Sequence, residues 1–249
     1  AAMGWRAAFR ILAGVAFAVC FGGFQVLRKA PERPAAQAEG YPLTKDYTPA
    51  EMLHSMTFWL LFTWSLLVST AGVMVFGHVV PLGVELGVAQ AAAVLAMGVL
   101  SLSNGLGRLV YGALSDRLGL APTMFIGALL MGTAILLAIP LTKAWGHAGL
   151  IAVGILIGSS YGGMVPLATT SVLQIFGGRH FGTNLGISSS QIAISAILGP
   201  QMAGFLRSST GAYNLPFATT GLLALGACAI AVVLGLKLRA AAAVVTRSA

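Results

Sequence analysis

Seven long apolar stretches, most of them separated by short connections, dominate this 249-residue sequence. A helix needs about 20 apolar residues to cross the hydrocarbon core of a bilayer. Because a helix satisfies its backbone hydrogen bonds internally, the pattern predicts an all-α polytopic membrane protein with seven transmembrane helices. The predicted spans are residues 5–27, 56–80, 88–112, 121–140, 149–175, 183–206 and 216–237.

The composition excludes the other broad classes of protein. Hydrophobic residues make up 57% of the chain and charged residues 8%, whereas a soluble domain carries about 25% charged residues. The mean hydropathy of +0.90 equally excludes a disordered chain. A transmembrane barrel would show segments of about ten alternating residues, and this sequence has unbroken apolar runs instead.

The basic residues indicate an orientation in the membrane. Fourteen Lys and Arg against six Asp and Glu give a net charge of +8, and most of the basic residues lie between the apolar runs. Nine fall on the side that holds residues 28–55 and the C-terminus, four fall on the other side, and Arg108 lies inside a span. The positive-inside rule therefore predicts a cytoplasmic C-terminus and an outside N-terminus. The same distribution explains the excess charge without a nucleic-acid partner.

One connection is long and polar. Residues 28–55 contain four prolines and several charged residues, which is typical of a linker. Within it, Thr48-Pro49-Ala50-Glu51 predicts the start of a short interfacial helix, because Pro is favourable in the first turn and Glu is favourable at an N-terminus.

A short motif follows the third span. Gly112–Gly119 reads GALSDRLG and places Asp116 next to Arg117 in what we predict to be a tight turn, with a glycine at either end for close helix approach. Such a charge pair could form in one transporter state and break in another. The alternative is a solvated turn with an orienting arginine. We assign Gly112, Asp116, Arg117 and Gly119 as predicted gating residues.

This motif resembles the loop signature of the major facilitator superfamily. The stretch before it, Asn104–Gly112, resembles the oxalate/formate antiporter family, which is similar to the monocarboxylate transporters. Further resemblances to that family lie at residues 4–9, 46–53, 58–61 and 184–187, and at Gly199, Pro200 and Gly204.

The resemblance implies a particular place for this chain within a larger fold. The seven spans would be helices six to twelve of a twelve-helix transporter, most simply in the inner membrane of a bacterium. Residues 1–27 would then be the last helix of the N-terminal half, 28–55 the central cytoplasmic loop, 56–239 the six-helix C-terminal half and 240–249 a cytoplasmic tail. The expected partners are the lipid bilayer, a missing N-terminal half and a small carboxylate substrate.

Arg108 is the charged residue that most needs an explanation. It lies eight positions before Asp116, about 12 Å along a helix, where an arginine costs about 2.5–3.5 kcal/mol to insert. No predicted span contains a carboxylate. A structural partner in the bundle or snorkelling to the surface remains an alternative to an anionic substrate, and the resemblance implies an arginine for small carboxylates at this place.

Two polar stripes predict the walls of an aqueous cavity. Each has the spacing of one helical face, although hydrogen bonds between helices could explain single members. The stripes are Ser101, Asn104, Arg108 and Tyr111, and Asn184, Ser188, Gln191 and Ser195. The resemblance adds Tyr161 as a substrate-facing aromatic, with core packing as its alternative. The predicted substrate-binding residues are Arg108, Asn104, Gln191, Ser188 and Tyr161.

The sequence departs from the oxalate-specific pattern at one position. Where that pattern pairs the arginine with a lysine in the eleventh helix, the best-matching residue here is Ile192. A single cation favours a monocarboxylate such as formate, lactate or pyruvate over the dianion oxalate.

A glycine stripe marks the fifth predicted span. Gly154, Gly158 and Gly162 recur every four residues, which predicts close approach of a neighbouring helix, with a hinge as the second interpretation.

The sequence predicts no enzyme, cofactor or metal site, since it lacks a phosphate-binding loop, a zinc-protease motif and a nucleophile elbow. We therefore expect secondary active transport of a small organic anion by alternating access. The alternatives are a membrane fragment that does not transport, and a transporter of a non-anionic solute.

Overall fold

The structure, a computed structural model, describes the backbone of residues 5–26 and 45–248. Over those residues the chain is built from helices joined by short turns. They are α1 (Trp5–Val26), α2 (Pro49–His54), α3 (Met56–Glu85), α4 (Gln90–Leu118), α5 (Leu120–Trp145), α6 (His147–Phe176), α7 (Phe181–Ser189), α8 (Gln191–Thr210) and α9 (Asn214–Ser248). The helix α1 belongs to one compact unit, and the described residues from Lys45 onward form another. The prediction of an all-helical fold is confirmed.

In the described part of the chain, five helices are long and apolar enough to cross a membrane, namely α3, α4, α5, α6 and the Asn214–Ala240 part of α9. The first predicted span coincides with α1, whose apolar part is Phe9–Gln25. The described residues therefore meet the length and hydropathy expected of a span in five of the seven predicted places.

The sixth predicted span, 183–206, is not one helix. It is interrupted at Ser190, where α7 ends and α8 begins. The Ser190 N–H and its hydroxyl both donate to the Ile187 carbonyl, at 3.2 and 2.8 Å. The backbone hydrogen bond here therefore spans three residues instead of the four that an α-helix uses. A serine hydroxyl that bonds the preceding turn competes with the regular backbone bonds of a helix, and the hydropathy profile contains no signal for this interruption.

The predicted loop at Gly112–Gly119 is also corrected. The helix α4 continues through Asp116 and Arg117 to Leu118, and the turn consists of Gly119, whose φ of 84° favours glycine. No atom lies within 4 Å of a Cβ built on Gly112 or Gly119, so neither glycine serves close helix approach among the described residues.

The helices pack in pairs within the second unit. The helix α4 runs parallel to α6, α3 runs parallel to α8, and α5 runs antiparallel to α9. A buried core of large side chains, including Trp64, Phe176 and Phe217, lies between them. One end of this bundle, the linker end, carries residues 45–55 and the α4–α5 and α6–α7 turns. The opposite end carries the α3–α4, α5–α6 and α8–α9 turns.

The glycine stripe of α6 brings its backbone directly against α4. A Cβ on Gly158 would overlap the Leu100 carbonyl, and a Cβ on Gly162 would overlap the Asn104 carbonyl. From the other side, a Cβ on Gly107 would overlap the carbonyl of Ser159. The prediction of close packing at this stripe is confirmed.

We expect Gly158→Ala to destabilise the protein by about 1–3 kcal/mol, since the added methyl group meets backbone that cannot rotate away. Gly105→Ala is the matched control, because nothing lies within 4 Å of its Cβ. Thermal unfolding of both variants in detergent measures the difference. Equal melting temperatures would show that α4 and α6 are not in backbone contact at Gly158.

The last part of the polar linker is ordered against the bundle. We call Lys45–His54 the docking segment. The Tyr47 N–H donates to the Phe176 carbonyl at 2.9 Å, and the Arg179 N–H donates to Asp46 Oδ1 at 3.1 Å. Gly177, with a φ of 80°, leaves room for the Asp46 carboxylate. The segment therefore holds the α6–α7 turn.

The predicted start of a short helix within this segment is confirmed. Thr48 and Glu51 form a capping box at the N-terminus of α2, and Pro49 occupies its first turn. The Glu51 carboxylate also pairs with Lys45 Nζ at 2.6 Å. These bonds, the one from Lys45 first, hold the pKa of Glu51 at about 2, below its ordinary 4.5.

This lowered pKa predicts an acid-sensitive helix. A carboxyl group whose pKa is lower in the folded state stabilises that state above its unfolded pKa, and the stabilisation is lost as the pH falls towards the folded value. We therefore expect the α2 cap to open as the pH falls from about 4.5 to about 2. Hydrogen exchange of the Glu51 amide reports this opening, because that N–H donates a hydrogen bond to the Thr48 hydroxyl in the closed cap. Glu51→Gln still fits a capping box but has no carboxyl group to protonate, so its amide exchange should follow only the intrinsic pH dependence of exchange. An exchange profile unchanged from the wild type would mean that another group controls the opening.

Candidate functional site

Arg108 lies in the interior of the membrane-spanning helix α4. It is ten residues from the C-terminal Leu118 and eighteen from the N-terminal Gln90, about 15 Å and 27 Å along the helix axis. Its side chain is exposed on the surface of the described bundle. Within the described residues, the carboxylates that form ion pairs are Glu51, with Lys45, and Glu85, with Arg207. Arg108 is thus a central cation without a described acidic partner.

Tyr161 of α6 is the aromatic residue next to this cation. The Arg108 guanidinium is close enough to interact electrostatically with the Tyr161 hydroxyl. The Tyr161 ring is half-buried, lies directly over Gly72 of α3, and is 5.5 Å from the Phe76 ring. Helix α3 therefore fixes the ring, which supports the core-packing interpretation, and the substrate-facing role of Tyr161 stays a prediction.

The remaining members of the first stripe differ from one another in exposure. Asn104 is half-buried, and the Ser101 hydroxyl is exposed and bonds the Met97 carbonyl of its own helix. Tyr111 is only 3% exposed, and its hydroxyl lies 3.1 Å from that of Ser160. The predicted placement of Tyr111 on a cavity wall is therefore wrong, because its ring packs into spaces left by glycines of α5 and α6.

Asn184, predicted as a wall residue in the second stripe, has a different place. It is fully buried, and its Nδ2 donates to the Tyr47 carbonyl at 3.1 Å. Its Oδ1 is buried without a hydrogen-bond partner among the described residues. Asn184 thus holds the docking segment onto α7 and does not face a cavity.

Gln191 and Ser195 form a buried polar network between α8 and α3. The Ser195 hydroxyl lies 3.4 Å from Gln191 Oε1 and 3.3 Å from the Leu66 carbonyl, and the Thr70 hydroxyl donates to Ser195 at 3.3 Å. For Ser195, hydrogen bonding between helices is the interpretation that the structure favours, whereas the Gln191 side chain bonds Ser195 of its own helix.

A cavity of about 260 Å³ lies between α3, α6, α7 and α8. Two predicted residues, Ser188 and Gln191, line it, and Ile192 lies beside them. Arg108, Asn104 and Tyr161 do not line it. The predicted substrate-binding residues therefore form two groups, one on α4 and α6 and the other on α7 and α8.

The structure adds polar residues to this cavity that sequence reasoning missed. Ser65 of α3 and Thr169 of α6 line it together with Ser189. Isolated serines and threonines in apolar helices gave too weak a signal, and no periodic stripe connects them to the residues predicted above.

The predicted gating residues lie at the linker end of the bundle. Asp116 and Arg117 are both exposed in the last turn of α4. Successive residues on a helix do not face each other, and neither residue is in an ion pair among the described residues. Any partner for them lies elsewhere, and their gating role stays a prediction.

A charge cluster at the opposite end was not predicted. Arg207 of α8 donates to Glu85 Oε2 through Nη2 at 2.9 Å and Nε at 3.2 Å, and the Tyr213 N–H donates to the other carboxylate oxygen at 3.1 Å. The Arg207 guanidinium lies 4.8 Å from the Tyr213 ring centroid. This cluster connects α3, α8 and the start of α9.

A membrane-spanning bundle in which a central guanidinium has no acidic partner among the described residues fits the transporter class of membrane proteins. The pattern of the Major Facilitator Superfamily matches residues 62–248. The chain belongs to the major facilitator superfamily, which is a family of membrane transporters and not of enzymes.

Individual relatives are more distant. The chain is 26% identical over 201 residues to the oxalate:formate antiporter of Oxalobacter formigenes, covering 81% of this chain and 48% of that protein. It is 28% identical over 204 residues to the uncharacterized transporter YhjX of Escherichia coli, covering 78% and 48%. It is 24% identical over 247 residues to monocarboxylate transporter 12 of Rattus norvegicus, covering 87% and 50%. The chain spans about half the length of the curated relatives it matches.

Proposed function

We propose that this chain forms part of a secondary transporter that moves a small organic anion by alternating access, with Arg108 as the carboxylate-binding residue. The observation that carries the proposal is the position of Arg108 in the interior of α4, exposed and without an acidic partner among the described residues. A charge at that depth is costly, and an anionic substrate supplies the missing partner in each transport cycle.

The chemistry of the neighbouring groups suits a carboxylate. A guanidinium offers a planar set of donors that matches two carboxylate oxygens. The Tyr161 hydroxyl, close to Arg108, can donate a further hydrogen bond to the same substrate. The half-buried Asn104, one helical turn from Arg108 on α4, is the neutral donor on this side.

A single positive charge favours a single negative charge on the substrate. Ile192, which is 46% exposed, supplies no second cation beside the cavity that Ser188 and Gln191 line. We therefore infer a monocarboxylate of the size of formate, lactate or pyruvate. The names of two relatives, an oxalate:formate antiporter and a monocarboxylate transporter, support small carboxylates as the substrate class.

The proposal includes a second half of the transporter. Transporters of this kind work by rocking one helical bundle against the other around a site near the membrane midplane. In this proposal the exposed face of α4 meets the partner half, Asp116 and Arg117 open and close contacts at the linker end, and the positive-inside bias places that end and the C-terminus in the cytoplasm of a bacterial cell.

Transport into liposomes tests the substrate class. The full-length transporter that contains this chain is reconstituted and loaded with formate, and uptake of labelled formate, lactate, oxalate and a neutral sugar is compared. We expect saturable uptake of the monocarboxylates and none of the sugar. Uptake of the sugar alone would favour the alternative of a non-anionic solute, and no uptake of any solute would favour a membrane fragment that does not transport.

A further inference from the structure

A second cavity is larger than the one that Ser188 and Gln191 line, and Arg108 does not line it. It has a volume of about 630 Å³ and lies at the linker end, between the first turns of α5 and the last membrane-spanning turns of α9. Among the described residues that line it, Gln174 and Arg239 are polar and the rest are apolar. Neither the predicted substrate residues nor the transport proposal uses this cavity.

Small residues create this space between two otherwise closely packed helices. A Cβ on Gly235 of α9 would lie 3.2 Å from the Cβ of Ala121 of α5, so the two backbones approach each other there. Larger side chains such as Phe125, Val232 and Leu236 form the walls. Val232 is 49% exposed and Leu236 is 62% exposed, which makes the cavity a groove that opens sideways, out of the bundle.

The walls of this groove belong to helices that are apolar enough to span a membrane, α5 and the Asn214–Ala240 part of α9. The opening therefore faces acyl chains and not water. An acyl chain that fills the groove makes van der Waals contacts with its apolar walls, which an empty groove would lack. Its volume lies within the range of about 300–1,000 Å³ that is usual for ligand sites.

Positive charge lies at one end of the groove. Arg239 is exposed at the end of the membrane-spanning part of α9, and no carboxylate lines the groove or pairs with this arginine within the described part of the chain. The N-terminus of α5, whose Leu120 and Ala121 line the same groove, has no side-chain cap. Both features favour an anion at this mouth.

The geometry points to a bound anionic phospholipid, with an acyl chain in the groove between α5 and α9 and its phosphate on Arg239. A membrane lipid is the occupant that brings a long hydrocarbon chain and a negative headgroup to this depth together. A water-soluble anion has no use for the apolar walls. A second copy of this chain is a poor source of negative charge, since the whole sequence has six acidic residues against fourteen basic ones.

Native mass spectrometry of the full chain in detergent tests the charge preference. The probes are dioleoyl phosphatidylglycerol and dioleoyl phosphatidylcholine, which share their acyl chains and differ in headgroup charge. We expect the anionic lipid to bind about fivefold more tightly, the contribution of one arginine near a membrane surface. Arg239→Gln should remove this preference. Lys237→Gln is the matched control, because Lys237 is exposed on the same helix and does not line the groove.

A second pair of variants tests the groove itself. Val232→Trp places a large side chain in the groove and should prevent binding of both lipids. Val233→Trp introduces the same side chain at a neighbouring position that is 44% exposed and does not line the groove, and it should leave binding unchanged. Both positions are on the surface, so circular dichroism should show the same helix content in each variant.

Four results would overturn the proposal. Equal binding of the two lipids would remove the role of Arg239. An equal loss in Arg239→Gln and Lys237→Gln would indicate diffuse attraction to a basic surface. Unchanged lipid binding in Val232→Trp would place the lipid elsewhere. Competition by soluble glycerol phosphate as effective as that by the lipid would identify a water-soluble anion as the ligand.

Discussion

Replacing Arg108 with alanine is expected to weaken carboxylate transport by the full-length protein severely. In the proposed mechanism this guanidinium is the positive charge that meets the substrate inside the membrane, and no described carboxylate balances it. Truncating one partner of a desolvated charge pair costs about 2–5 kcal/mol. Since about 1.4 kcal/mol is a factor of ten, we expect substrate affinity to fall by at least about thirtyfold. Counterflow of labelled formate in liposomes measures the loss.

Two further substitutions separate charge from geometry at this position. Arg108→Lys keeps the charge but loses the planar pair of donors, so we expect transport between that of the wild type and that of Arg108→Ala. Lys143→Gln is the matched control for removal of one positive charge, because Lys143 is exposed in the last turn of α5 at the opposite end of the bundle. Normal formate transport by Arg108→Ala would end the assignment of Arg108 as the substrate-binding residue.

Thermal stability distinguishes substrate binding from a structural role for the same residue. An arginine whose partner is the substrate lies unpaired inside the membrane when no substrate is bound, and this costs free energy. Without substrate, Arg108→Ala should therefore be at least as stable as the wild type. Added formate should then raise the melting temperature of the wild type and not that of the variant. A marked loss of stability in Arg108→Ala without formate would instead indicate a structural partner.

The parts of the fold that depend on local sequence were predictable. Apolar length located the helices that became α3 to α6 and α9, and the residues Thr48 to Glu51 identified the capped start of α2. The glycine stripe of α6 predicted close approach of a neighbouring helix, because small side chains let two backbones approach, and the structure identifies that helix as α4. The interruption at Ser190 was not predictable, since it involves a hydroxyl that bonds the preceding turn of backbone.

The candidate site was harder to predict from the sequence, because a polar face on a helix does not show which helix or solute packs against that face. Tyr111 shares a face with Arg108, yet it is buried because glycines on α5 and α6 make room for its ring. Asn184 and Ser195 are buried for the same kind of reason, since Asn184 bonds the docking segment and Ser195 bonds α3. Polar residues in a membrane helix predict a polar partner, and only the packing decides whether that partner is a helix or a solute.

Ionic contacts between distant residues were the least predictable. Glu85 and Arg207 are separated by 122 positions in the sequence, and each looked like an ordinary charge at the end of a span. Their contact follows from the parallel packing of α3 against α8, which brings the C-terminal ends of both helices together. No periodicity within either helix contains that information.

The second large expected effect concerns the charge selectivity of transport, and it is produced by a substitution at Ile192. This side chain is 46% exposed and lines the cavity next to Gln191. If that cavity belongs to the substrate pathway, Ile192→Lys adds a second cation to the one that Arg108 supplies. At a separation of about 8 Å from a carboxylate and an effective dielectric constant of about 20, that cation contributes about 2 kcal/mol.

We therefore expect Ile192→Lys to raise the ratio of oxalate to formate transport by at least about tenfold, because every 1.4 kcal/mol is a factor of ten and only the dianion gains a second partner. Ile192→Met is the matched control, since it keeps the size of the side chain and adds no charge, and its ratio should stay that of the wild type. An unchanged ratio in a folded Ile192→Lys protein would place the α7–α8 cavity outside the substrate pathway and leave Arg108 and Tyr161 on α4 and α6 as the whole of the anion site in this half.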